Sequence, residues 1–213
     1  MRDETLTTQA QAPGNEGMRR VPNQRRARER VERILAVATQ KIAARGLDAV
    51  RMSDIAEAAE ISIGSLYQYF PDKAAIVRSV AEGYNAEGHA CVARELGPVE
   101  TFEQLSPALH RVVDGFYQMY LDYPAMTAIW QATQADASLQ AVEAEDATEH
   151  GRRFAAVIMR LRPELDPERS ALVAGLAMTL LAAAVRHAVT LEPAAARQTL
   201  DLFKQMLPAD LGL

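Results

Sequence analysis

The sequence predicts an all-α protein in two parts, and three observations carry that prediction. Ala, Leu, Arg and Glu are abundant, and alternating β-branched runs are few. Pro and Gly fall mostly between stretches of three-and-four apolar periodicity, where they end helices instead of interrupting them. Of 213 residues, 49% are apolar and 24% charged, enough to bury a core and stay hydrated. At roughly 100 to 200 residues per domain, that length suits one or two small domains.

Residues 1–26 hold Pro13, Gly14, Asn15, Gly17, Pro22 and Asn23 with little to bury, and read as a flexible arm whose end is basic through Arg19, Arg20, Arg25 and Arg26. They contain no apolar stretch of the kind a signal peptide needs. The single Cys91 cannot form an internal disulfide, so a reducing cytoplasm is the expected compartment.

Val31, Ile34, Leu35, Ala38 and Ile42 mark one face of a first helix, which Gly46 should terminate. Ser53 and Asp54 can supply oxygens to the free amides that open a second, two-turn helix burying Ile55, Ala56 and Ala59. Ser62 can cap a third short helix that runs to Phe70, because Pro71 bars helical dihedrals at the residue before it. Two short helices on a longer one form a helix-turn-helix, whose second short helix enters the DNA major groove. Helical angles turn Leu66, Phe70 and Ile63 inward and leave Gly64, Ser65, Tyr67 and Gln68 outside. Gln68 matches adenine edges, Ser65 several groups, and a tyrosine hydroxyl more commonly a phosphate. Gly64 costs helix stability but lacks a side chain that would hold the backbone off a nucleic-acid surface.

The charge distribution agrees. Residues 19–78 carry 12 Lys plus Arg against 7 Asp plus Glu, a net +5, whereas residues 79–213 carry 10 against 18, a net −8. One end of the chain is suited to a polyanion and the remainder is repelled by it.

The stretch 54–73, DIAEAAEISIGSLYQYFPDK, closely resembles the signature of the TetR family of bacterial transcriptional regulators, and GSLYQYFPDK, residues 64–73, is its most specific part. The likeness is detailed over residues 28–78. It implies a helix-turn-helix DNA-binding domain over residues 27–75 and a helical ligand-binding and dimerisation domain over residues 76–213. It also implies that Ser62, Gly64, Ser65, Tyr67 and Gln68 lie at the DNA surface and that Lys73 meets a phosphate. Arg51, Ser53, Ile63 and Tyr69 complete the candidate set, Tyr69 at the border of the inner side. Two positions depart from the family. Glu60 replaces a frequent turn glycine and argues against a tight glycine-type turn. Arg51 replaces a capping Thr, which makes it a phosphate-contact candidate instead of a cap.

A fourth helix, residues 73–95, should tie this small unit to the second domain. Further helices are expected at 102–121, 124–135, 136–161, 167–191 and 193–207, with prolines at most boundaries. Phe116, Met119, Tyr120 and Tyr123 share a face, with Met126 and Trp130 just beyond, which can line an apolar pocket for an aromatic or lipophilic effector or simply pack a core. The face of Leu139, Phe154, Val157 and Leu161 continues through Glu143, Asp146 and His150. If buried, these polar groups need partners, a ligand among them; otherwise that half of the helix overhangs the core in solvent. The candidate ligand set is therefore Phe116, Tyr120, Tyr123, Met126, Trp130, Asp146, His150 and Phe154.

Residues 170–185 form the longest uncharged apolar run, short of the roughly 20 that span a membrane, and read as a buried helix. Its small-residue surface of Leu172, Gly175, Leu176, Thr179, Ala182 and Ala183, with Leu200, Leu202, Phe203 and Met206 nearby, suits a two-fold helix-pair interface or internal packing.

No nucleophile elbow, dinucleotide fingerprint, P-loop, HExxH or paired CxxC occurs, and His89 beside Cys91 reads as a surface histidine next to a buried thiol. No catalytic residue, metal site or cofactor is expected. The reading is a homodimeric, ligand-responsive regulator bound to a double-stranded DNA operator. A helical ligand-binding protein without operator recognition, or a small helical enzyme, is the other class compatible with the chain.

Overall fold

The structure, a computed structural model, describes residues 17–207, with side chains from residue 24 onward except Ser138. The helices are α1 (Gly17–Arg45), α2 (Met52–Ala58), α3 (Ile63–Tyr69), α4 (Lys73–Leu96), α5 (Leu105–Asp122), α6 (Met126–Ala135), α7 (Ala137–Leu161), α8 (Pro167–Val189) and α9 (Pro193–Met206), with a single 3-10 turn at Phe102–Gln104. No strand is present among the described residues.

Residues 17–26, expected as flexible arm, are instead the first turns of α1. Their basic run is contiguous with Arg28, Arg30 and Arg33, and helix propagation costs little once a long helix is nucleated. Residues 1–16, and the side chains of Arg19 and Arg20, lie outside the described ones.

α1 stops where Gly46 takes φ 75° and its N–H donates to the Ile42 carbonyl at 2.8 Å. Arg51 occupies the N-cap position of α2. Asp54, two residues into the helix from Met52, reaches back to accept the Arg51 N–H at 3.2 Å, so the start is secured by a carboxylate.

The turn between α2 and α3 is tight despite lacking glycine, contrary to the expectation from Glu60. Glu60 itself adopts φ 55°. Its N–H donates to Glu57 (3.1 Å) and that of Ile61 to Ala56 (3.0 Å), the paired bonds of a Schellman motif. Ser62 then caps α3, its hydroxyl accepting the Ser65 N–H at 3.1 Å. Asp72 caps α4 by accepting from Ala75 at 2.8 Å.

Two cores follow. The first joins Ile34, Ala38 and Ile42 of α1 with Ile55, Leu66 and Phe70, and is completed by Ile76, Val77 and Val80 of α4 and by Ile129 and Val142 of α6 and α7. The helix-turn-helix unit is thus not sealed on itself but packed on the second domain. The other core is built from Val92, Leu96, Leu109, Val113, Phe154, Ile158, Met178, Leu181 and Leu200. α7 and α8 cross closely, since a Cβ on Gly151 would sit 3.1 Å from Gly175 Cα.

α8 is not the buried helix its composition suggests. It is long and apolar enough to cross a membrane, but only 28% of its apolar window is buried.

Candidate functional site

The outer face of α3 begins with sterics. Leu66 and Phe70, one turn apart, enter the core and fix the rotation of the helix. Tyr67 (49% exposed), Gln68 and Gly64 consequently face out, with Ser62 beside them and Ser65 half-buried. Ile63, which periodicity had turned inward with Leu66, is 44% exposed. It is the first residue of the helix, where the chain has just left the turn and no neighbouring helix covers it. Tyr69 goes the other way and packs against the first core. A Cβ at Gly64 would touch nothing within 4 Å, so the absent side chain leaves a flat, open patch in the middle of this face. Arg51 and Ser53 are exposed at the start of α2.

Lys73, implied as a phosphate contact, is already partly engaged within the protein. Its Nζ donates to the main-chain oxygens of Leu47 (2.9 Å) and Val50 (3.2 Å), which engages two of its three N–H donors with the α1–α2 loop.

The second site is a cavity of about 130 Å³ between α4, α5, α6, α7 and α8. Six of the eight candidate ligand residues line it: Phe116, Tyr120, Met126, Trp130, Asp146 and His150. The other two do not. Tyr123 is at the surface, its ring 5.3 Å from that of Tyr84, because α5 ends one residue before it. Phe154, one turn beyond His150, is wholly buried in the second core.

The polar face of α7 is turned inward, which settles whether it overhangs the core. Glu143 accepts from Trp130 Nε1 (3.3 Å) and lies 3.8 Å from Arg186, whose guanidinium stacks 4.7 Å from the Trp130 ring centre. Asp146 Oδ1 lies 2.9 Å from His89 Nε2 and 3.5 Å from His150 Nε2. Burial pushes the Asp146 carboxyl up to about 7, helped by Glu143 and opposed by Arg186. Burial also pushes the His150 imidazole down to about 4, with His89 and Arg153 adding to the effect. The same desolvation raises the Tyr120 hydroxyl to about 12. The cavity is therefore a low-charge space with an aromatic wall and two polar ends.

His89 is the residue that sequence reasoning missed. In the sequence it reads as a surface group, yet its ring is 4.6 Å from that of His150 and largely buried. The available signal was weak: Asp146 and His150 stand four apart on one helix, but nothing local places α4 against them. Cys91 is buried as expected.

The fold and these two sites define a helix-turn-helix DNA-binding protein with a cavity-bearing helical domain. The profile of bacterial regulatory proteins of the tetR family matches residues 34–80, and that of the tetracyclin repressor-like C-terminal domain matches residues 103–213. The chain belongs to the tetR family, a family of transcriptional regulators and not of enzymes.

Similar solved structures include a TetR-family transcriptional regulator from Syntrophomonas wolfei, at 12% identity over 84% of this chain and 93% of that one, with a TM-score of 0.68. The transcriptional regulator FadR from Bacillus subtilis, in complex with stearoyl-CoA, shares 17% identity over 80% and 96% of the two chains (TM-score 0.61). A transcriptional regulator from Saccharomonospora viridis in complex with choline shares 18% over 83% and 96% (TM-score 0.62). Among curated proteins, none matches this sequence.

Proposed function

We propose that this regulator is a homodimeric, cytoplasmic repressor that leaves a roughly palindromic operator when a compact aromatic or lipophilic molecule enters the cavity. The observation that carries this reading is the course of α4. Its first turns belong to the DNA-reading unit, through the Lys73 bonds to the α1–α2 loop and through Ile76 and Val77 in the first core. Two turns later the same helix presents Ala81, Tyr84, Asn85 and Gly88 to the cavity. A molecule that displaces this wall tilts a rigid rod whose far end holds α3.

In a dimer the two α3 helices would sit in successive major grooves about 34 Å apart, so a small tilt misplaces both. The effector must prefer the tilted state, typically by about 1 to 3 kcal/mol of coupling. Gln68 and Ser65 are the base-reading candidates. Tyr67, Arg51 and the third N–H of Lys73 are the phosphate contacts, and Ser53, Ser62 and Ile63 flank them. The exposed Leu172, Leu176 and Leu180 of α8, with Leu202 and Met206 of α9, supply the dimer face, because a contiguous apolar surface on a lone subunit is a poor match for water. The similar structures in complex with stearoyl-CoA and with choline hold molecules of very different sizes. The space here is close to that which accepts a single aromatic ring, which favours a compact ligand.

DNA selected from a random pool, titrated at several salt concentrations against a scrambled duplex, tests the operator. Gln68→Ala should cost about 1 to 3 kcal/mol and relax preference at one base pair. Tyr67→Phe should weaken all sequences alike. Unchanged affinity and preference in both variants would remove α3 from the interface. Trp130, the sole tryptophan, lines the cavity, so its fluorescence reports effector entry directly.

A further inference from the structure

We propose that His89, Asp146 and His150 bind a zinc-class divalent ion through two imidazole nitrogens and one carboxylate oxygen, with an open coordination position turned toward the cavity. Asp146 and His150 are one turn apart on α7 and share a face, so both can reach one point beside the helix. His89 enters from α4, and the residue before it is Gly88. A Cβ there would stand 3.3 Å from His150 Nε2, so its absence lets the imidazole lie close against α4.

The three ligand atoms all fall within 4.8 Å of one another. Around a tetrahedral zinc with bonds near 2.0 to 2.2 Å, neighbouring donors stand about 3.4 Å apart. The carboxylate oxygen here is 2.9 Å from one imidazole nitrogen and 3.5 Å from the other, which brackets that spacing. His89 Nε2 and Asp146 Oδ1 are both buried and stand 2.9 Å apart as an ion pair that falls short of hydrogen-bond geometry. A buried contact of this kind offsets its desolvation only in part, and a shared cation removes the deficit.

Two imidazoles and a carboxylate form a borderline donor set, suited to Zn²⁺ and its neighbours and poorly suited to Mg²⁺ or Ca²⁺. Three protein ligands leave the fourth position for a small molecule, whereas a purely structural zinc takes four. Asp146, His150 and Gly88 all line the cavity, so that position opens where an effector would lie. The inference stands on side-chain geometry alone, and its failure would leave the operator and effector readings untouched.

The test uses the full-length chain without an affinity tag, stripped with chelator and titrated with Zn²⁺ alone by calorimetry and with Co²⁺ alone by visible absorption. The expected result is one ion per chain and a tetrahedral Co²⁺ spectrum. Loss of outer partners alone typically costs 10- to 100-fold, so His89→Ala, Asp146→Asn and His150→Ala should each weaken binding about a hundredfold or more. Cys91→Ser and His110→Ala should leave it unchanged. Helicity by circular dichroism checks each variant. If His150→Ala does not fold, the less buried His89→Ala decides. Binding that survives His89→Ala, or wild-type protein that takes up neither ion, overturns the site.

Discussion

The ammonium of Lys73, at the start of α4, stands 2.9 Å from the carbonyl oxygen of Leu47 in the α1–α2 loop. With the second bond to Val50, it fastens the α1–α2 loop to the helix that runs on to the cavity. Lys73→Met keeps the aliphatic stem and removes both charge-assisted bonds, so it should lower stability by about 1 to 3 kcal/mol in urea denaturation. A variant of unchanged stability that has lost DNA affinity would instead place the charge on a phosphate.

Glu60 occupies the left-handed region, which costs a residue with a Cβ roughly 1 to 2 kcal/mol. Glycine removes that strain but loses more chain entropy on folding. Glu60→Gly should therefore stabilise by up to about 1 kcal/mol, while Glu60→Val should destabilise, because branching at Cβ worsens the clash. The order Gly, Glu, Val in thermal midpoint checks the turn; the reverse order would contradict it.

Gly64 lies on open surface, and a methyl group there meets nothing. Gly64→Ala should raise stability by about 1 kcal/mol through helix propensity and at the same time weaken operator binding, since the added carbon stands between the backbone and the groove. Stability and affinity moving in opposite directions is the result that identifies the patch. If both rise, α3 does not approach DNA closely there.

The α7–α8 crossing is asymmetric. A Cβ on Gly151 would press on Gly175 Cα at 3.1 Å, whereas one on Gly175 meets nothing within 4 Å. Gly151→Ala should cost about 1 to 3 kcal/mol as backbone yields, and Gly175→Ala should be neutral or stabilising. Thermal melts of the two variants suffice to check it.

Leu172 and Met206 are 75% and 71% exposed, on the outer faces of α8 and α9. Leu172→Glu with Leu176→Glu should convert the protein to monomer in sedimentation equilibrium and abolish cooperative operator binding while preserving helicity. A wild type that sediments as monomer would discard the dimer.

Helix boundaries were legible in the sequence because caps and breakers are local: Gly46, Ser62, Pro167 and Pro193 each act on adjacent amides or dihedrals. The inward residues of α3 were legible for the same reason, except at Ile63, where the pattern marks an apolar residue but not whether a neighbour covers it. Phe116, Tyr120, Met126 and Trp130 could be named from the apolar faces of α5 and α6, and Asp146 and His150 from the polar continuation of the α7 face. Tyr123 and Phe154 could not be separated from them, because a helix end and a rotation past the cavity wall are decided by packing. The gain of helix at residues 17–26 escaped a composition rich in Pro and Gly.

The sequence by itself determined that the chain is helical, where most helices start and stop, and which ten residues carry the family's DNA-reading signature, since these follow from backbone chemistry within a few positions. Only the tertiary structure decided that Lys73 turns back to the loop, that α8 shows its leucines to the outside, and that His89 meets Asp146 and His150 from another helix. Those outcomes depend on which faces come together across dozens of residues, and such contacts are set by the packing of whole helices.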